Sequence, residues 1–139
     1  MHADRPLDLV AIDYIQRVAT SASESKVQAL ESLSLAACEF ARSTGVHVLA
    51  TAQLNRESEH RGKNAMPRMA DLKGSGQFEQ DAHNVLLLHR PNKGSENREK
   101  PDDRAILLIA KQRNGPTGSI RLAWDAPSVS FSDWQKGYE

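Results

Sequence analysis

Lys111 and Arg113 stand two apart where an apolar run, Ile106 to Ala110, meets the turn-forming residues Asn114-Gly115-Pro116. Ser119 to Trp124 then reads as the returning strand of a hairpin. Residues two apart on a strand share a face, so both cations project together from the end of the sheet. That placement suits phosphate chemistry. Arginine is permanently protonated and planar and carries several donors, so it matches charge developing on a transferred phosphoryl group. The plainer alternative is a hairpin whose polar tip is simply solvated.

Three further groups bear on the same chemistry. Leu7-Asp8-Leu9-Val10-Ala11-Ile12-Asp13 is a nearly continuous apolar run ending in a carboxylate. Such a carboxylate can hold a magnesium-bound water beside nucleotide phosphates, although any strand can end in aspartate. Val46 to Gln53 is a second apolar run with a polar end. The amide of Gln53 can sense a terminal phosphate or merely solvate the strand end. Lys73-Gly74-Ser75-Gly76 offers bare backbone N–H groups and a cation to a phosphate, or else marks an ordinary helix start.

The elements that position these groups follow from periodicity. The run ending at Asp13 predicts a parallel strand covered on both faces. After a Ser-rich link, Thr20 to Ser25, the offsets of Val27, Leu30, Leu33, Ala37, Phe40 and Ala41 predict a helix over Lys26 to Thr44 that stops at Gly45. Strand, helix, strand makes a right-handed crossover, which brings Asp13 and Gln53 to one crevice at the C-terminal strand ends. Residues 54 to 70 show no apolar periodicity and predict a long exposed loop. A short helix is expected within Asp71 to Ala82, and a third parallel strand over Asn84 to His89. A charged loop from Arg90 to Asp103 follows, then strands over Arg104 to Lys111, Ser119 to Trp124 and near Val129 to Phe131.

The bulk numbers remove several alternatives. The 139 residues fit one domain, and 18 basic against 18 acidic side chains leave no global basic field, so any nucleic-acid binding must come from a local patch. Aromatic residues make up only 5%, which argues against a base-stacking platform. The single cysteine, Cys38, excludes an intramolecular disulfide and reads as a small buried hydrophobe. The five histidines show no metal-ligand spacing, and no serine sits in a nucleophile elbow. No apolar run reaches membrane-spanning length and the N-terminus has no signal core, so the expected setting is cytoplasmic, with no membrane partner. No Gly-x-x-x-x-Gly-Lys-Ser/Thr phosphate loop occurs anywhere.

Four ordered segments together resemble the DnaB-type replicative helicase family over about Leu7 to Asp133. They are Leu9 to Gln16, Ala52 to Arg56, Asp71 to Ala82, and Lys111-Gln112-Arg113-Asn114-Gly115-Pro116. The part resembled is the second half of that family's RecA-like motor domain, so the whole chain, 1–139, is expected to be a partial DnaB-type C-terminal domain. The fold implied is α/β, a RecA-like (P-loop NTPase) fragment lacking the phosphate-loop strands, with a parallel sheet and an antiparallel C-terminal hairpin. The resemblance implies ATP and Mg2+ as cofactors, a hexameric ring of helicase subunits, and movement along single-stranded DNA. It makes Asp13 the carboxylate on magnesium and Gln53 the switch between phosphate state and DNA-facing loops. It makes Lys111 and Arg113 the groups that reach the neighbouring subunit's phosphates, Arg113 as the arginine finger. Lys73, Gly74 and Gly76 would hold DNA phosphates in the central channel. The family carries Arg-Glu at the positions of Lys73-Gly74 and an acidic residue at that of His83, where this chain departs. Without a phosphate loop the chain is expected to hydrolyse little or nothing alone. It should expose an apolar edge and face that drive self-association or docking on intact subunits. Two other readings stand beside this one: a non-catalytic module or truncated remnant that modulates a helicase ring, and a recombinase-like strand-binding protein, against which Lys111 to Pro116 argues.

Overall fold

The structure, a computed structural model, describes residues 6–18, 25–55, 61–62, 65–72, 76–91 and 103–135. The chain divides into two compact units, Met1–Asn55 with Leu72–Ala82, and Arg56–Asp71 with His83–Glu139.

In the first unit, β1 (Leu9–Ile12) is followed by the short α1 (Ile15–Val18), the long α2 (Lys26–Thr44), β2 (His47–Ala50) and α3 (Gly76–Asp81). β1 and β2 pair in parallel, with Leu9 opposite His47 and Ile12 opposite Ala50. α2 has the bounds its periodicity predicts, because both ends are chemically marked. Ser25 and Gln28 form a reciprocal capping box, and Gly45 closes the helix in the left-handed region at φ 73°, its N–H donating to the Ala41 carbonyl. Leu30 and Ser34 are buried, and Leu33, Ala37, Cys38 and Ala41 half-buried, on the inner side of α2. Val27 and Phe40, read from sequence as part of that stripe, are exposed instead. α3 is tied to α2 through Asp81, whose carboxylate accepts from the Ser34 hydroxyl at 2.8 Å and whose carbonyl accepts from Cys38 Sγ at 3.6 Å. β1 is not covered on both faces as its composition implied. Leu9 and Leu49 are each 54% exposed, while Val10 and Ile12 are half-buried. An apolar run records that a strand can be covered, not that a layer is present to cover it.

The second unit is a four-stranded antiparallel sheet in the order β3 (Asn84–His89), β4 (Arg104–Gln112), β5 (Gly118–Asp125), β6 (Ser130–Asp133). β3 exists where expected but is not a third parallel strand: it runs antiparallel to β4, with His89 opposite Ile106. Apolar composition does not distinguish the two pairings, and the alternation of buried Val85 and Leu87 with exposed Leu86 and Leu88 is the mark of a sheet covered on one side. Described residues of the expected long loop, 54 to 70, are tied to Asp71 just beyond it. Asp71, buried at the end of a 3-10 turn over Met69–Asp71, accepts from the Arg68 N–H at 2.7 Å and pairs with the Arg61 guanidinium. At one end of the sheet the Arg90 guanidinium lies 4.2 Å above the Trp124 ring, which in turn packs against Phe131 at 4.6 Å between centroids. No helix among the described residues is long and apolar enough to cross a membrane.

Candidate nucleotide-facing site

The parallel pairing of β1 and β2 sends both chains out of the sheet at the same end, and the bonds that follow continue the ladder. The Thr51 N–H donates to the Ile12 carbonyl at 2.9 Å, and the Ile15 N–H donates back to the Thr51 carbonyl at 3.0 Å. Asp13 lies between those two points, its peptide bond to Tyr14 cis. The Thr51 hydroxyl donates to Asp13 Oδ1 at 2.6 Å, which orients the carboxylate while the residue stays exposed. Gln53 follows on the β2 side, exposed, with its main chain held by Gln16 of α1. Asp13 thus directly follows β1 and Gln53 lies three residues past β2, on the segments that leave the parallel pair at the same end.

Lys111 and Arg113 belong to the second unit. β4 runs through Gln112, one residue further than the strand expected from sequence, so Lys111 is a half-buried strand residue opposite Val85 and Arg113 is the first residue of the turn. The Arg113 N–H donates to the His83 carbonyl at 2.9 Å, carrying the β3–β4 pairing one step past the strand. Its exposed guanidinium lies 3.5 Å from His83 Nε2. Gly76 is the first residue of α3, whereas Lys73 and Gly74 lie outside the described residues.

Sequence reasoning missed three features. Thr51 and Gln16 find their partners only once β1 and β2 are in register. The Arg90–Trp124 pair, which lines a 470 Å³ cleft with Asp103, Ala126, Pro127 and Gln135, joins residues far apart in the chain. Arg90 Nε and Trp124 Nε1 are both buried there without a hydrogen-bond partner among the described residues.

The family model described as "DnaB-like helicase C terminal domain" matches residues 1–133. The chain is 39% identical over 132 residues to a "Probable replicative DNA helicase" of Trieres chinensis, covering 92% of this chain and 29% of that one. It is 38% identical over 138 residues to "Replicative DNA helicase DnaB" of Geobacillus stearothermophilus, covering 96% and 29%. It thus spans under a third of the length of these relatives. Among solved structures, a DnaB-like replicative helicase described with its primase interactions gives a TM-score of 0.81 and 31% identity over 91% of this chain and 31% of that one. A second solved structure, an ATPase domain, gives a TM-score of 0.80 and 31% identity over 91% and 44%. The parallel pair and the antiparallel sheet are accordingly pieces of one RecA-like α/β fold, and the chain belongs to the DnaB-like helicase C-terminal domain family.

Proposed function

We propose that this chain is part of an ATP-driven replicative helicase motor that reads nucleotide phosphates and passes their state to DNA. The observation that carries the reading is the pair of chain segments leaving β1 and β2 at the same end, one carrying a carboxylate oriented by the Thr51 hydroxyl and the other an exposed Gln53 whose main chain is held by Gln16. Asp13 takes the magnesium side of a bound nucleotide, and Gln53 registers its terminal phosphate. Magnesium keeps most of its waters and asks for only one or two carboxylates beside phosphate oxygens, so the single oriented Asp13 fits it. No cluster of three or more metal-ligating side chains is found among the described residues, and this mode of binding needs none. Asp13 would hold the ion, through a bound water, and the ion would supply charge compensation to the phosphates.

Lys111 and Arg113 serve a different nucleotide, the one held by the neighbouring subunit of a hexameric ring. An arginine so placed accelerates phosphoryl transfer by ~10³ to 10⁵. Lys73, Gly74 and Gly76 contact single-stranded DNA, and a replicative role sets the protein in the cytoplasm. With no phosphate loop in its 139 residues, this chain hydrolyses little or no ATP by itself. Anisotropy of labelled single-stranded DNA, with and without ATP and Mg2+, tests the reading. Nucleotide-dependent binding that falls steeply between about 50 and 200 mM salt is expected. Flat or absent binding removes the DNA role of Lys73.

One observation favours a second reading, a non-catalytic module that docks on a helicase ring. Leu88 and Ile120 flank Leu107 on one face of the four-stranded sheet, with Leu86 two residues along β3. Leu88, Ile120 and Leu86 are 47%, 46% and 53% exposed. Capture of intact helicase without nucleotide would favour docking over the motor role.

A further inference from the structure

Gln53 is useful as a phosphate sensor only if its main chain keeps a fixed place relative to Asp13, yet β2 ends three residues earlier, at Ala50. Backbone pairing with the segment that carries Asp13 stops at the Ile15 to Thr51 bond. Beyond it a side chain takes over. Gln16 Oε1 accepts from the Gln53 N–H at 3.1 Å, and Gln16 Nε2 donates to the Gln53 carbonyl at 3.2 Å. A carboxamide offers the same donor and acceptor as a peptide group, so one side chain can satisfy both main-chain groups of a single residue. It does so through the main chain alone, and the residue it holds stays exposed to a ligand.

We infer that Gln16 is the positioning residue for Gln53, a side-chain rung that extends the β1–β2 ladder and registers the sensor against Asp13. It sits three residues after Asp13 in α1, so a displacement of the β1 end on phosphate or metal binding is handed to the Gln53 main chain through two bonds. The consequence for coupling rests on the reading of Gln53 as a phosphate switch; the positioning itself does not.

Amide hydrogen exchange on the 139-residue chain separates the two. Gln16→Ala removes both bonds, and exchange at the Gln53 amide should quicken by about fivefold or more, the size of one net hydrogen bond. Gln16→Glu keeps an acceptor for that N–H and should restore most of the protection. The Thr51 amide, bound to Ile12, should be unchanged in both and reports whether the ladder itself has survived. Equal Gln53 exchange in wild type and Gln16→Ala overturns the inference, as does equal loss in the Ala and Glu variants. The second readout is the ratio of single-stranded DNA affinities with and without ATP and Mg2+. Where wild type shows a ratio away from one, Gln16→Ala should bring it towards one, and a ratio left unchanged overturns the coupling. A wild-type ratio of one removes the proposed motor function instead, and the inference is then decided by exchange alone.

Discussion

The Thr51 hydroxyl makes Asp13 an oriented group rather than one more acidic strand end. A hydrogen bond to a charged acceptor contributes about 1.5 to 3 kcal/mol, so Thr51→Val, which keeps the shape and loses the donor, should weaken Mg2+-dependent nucleotide binding by about tenfold or more. Thr51→Ser should stay near wild type. Calorimetric titration with ATP at several Mg2+ concentrations checks this, and equal affinity for the Val variant would show that the hydroxyl does not orient the carboxylate. Asp13 and Gln53 were legible in the sequence because each ends an apolar run, and a crossover brings such ends together. Thr51 and Gln16 were not, because a hydroxyl and a carboxamide acquire their partners from strand register, which residue spacing does not encode. The contact of Arg113 with His83 was hidden for the same reason: it depends on β3 being the antiparallel partner of β4.

Among the elements, α2 was the most readable, since Ser25, Gln28 and Gly45 state its limits as plainly as its apolar spacing does. Gly45→Ala puts a side chain at φ 73° and should destabilise the first unit by about 1 kcal/mol or more, whereas Ser25→Ala should cost about 1 kcal/mol through loss of the cap. Thermal unfolding followed by circular dichroism measures both; a Gly45→Ala variant as stable as wild type would contradict the left-handed cap. The partner of β3 was less readable, because Val85 to Leu88 is apolar at every position and only the built sheet shows which side is covered. Arg90 and Trp124 gave no sign of their pairing, one opening the charged loop expected over Arg90 to Asp103 and the other closing the strand expected over Ser119 to Trp124. Their stacking should be worth about 0.5 to 2 kcal/mol, so Arg90→Ala should lower stability and shift Trp124 fluorescence, and unchanged emission would contradict the stack.

At the scale of the whole molecule, the chain spans 29% of the length of a helicase to which it is 39% identical, and it carries exposed Leu86, Leu88 and Ile120 on one sheet face. Apolar surface of this kind drives association, so the chain should sediment above its 15.4 kDa monomer mass, and Leu86→Lys with Leu88→Lys should return it towards that mass. A well-behaved wild-type monomer would contradict the expectation. The proposed roles differ in what they ask of this chain: a nucleotide-facing Asp13 and Gln53 would need a phosphate loop, which these 139 residues do not contain, whereas Arg113 as a trans finger would need only a nucleotide bound elsewhere. The most direct measurement is ATP hydrolysis by an intact helicase of this family whose own finger arginine is replaced by alanine, with this chain added. The wild-type chain should restore hydrolysis well above background and the Arg113→Ala chain should not. Restoration by neither chain, or equally by both, would contradict the trans role of Arg113.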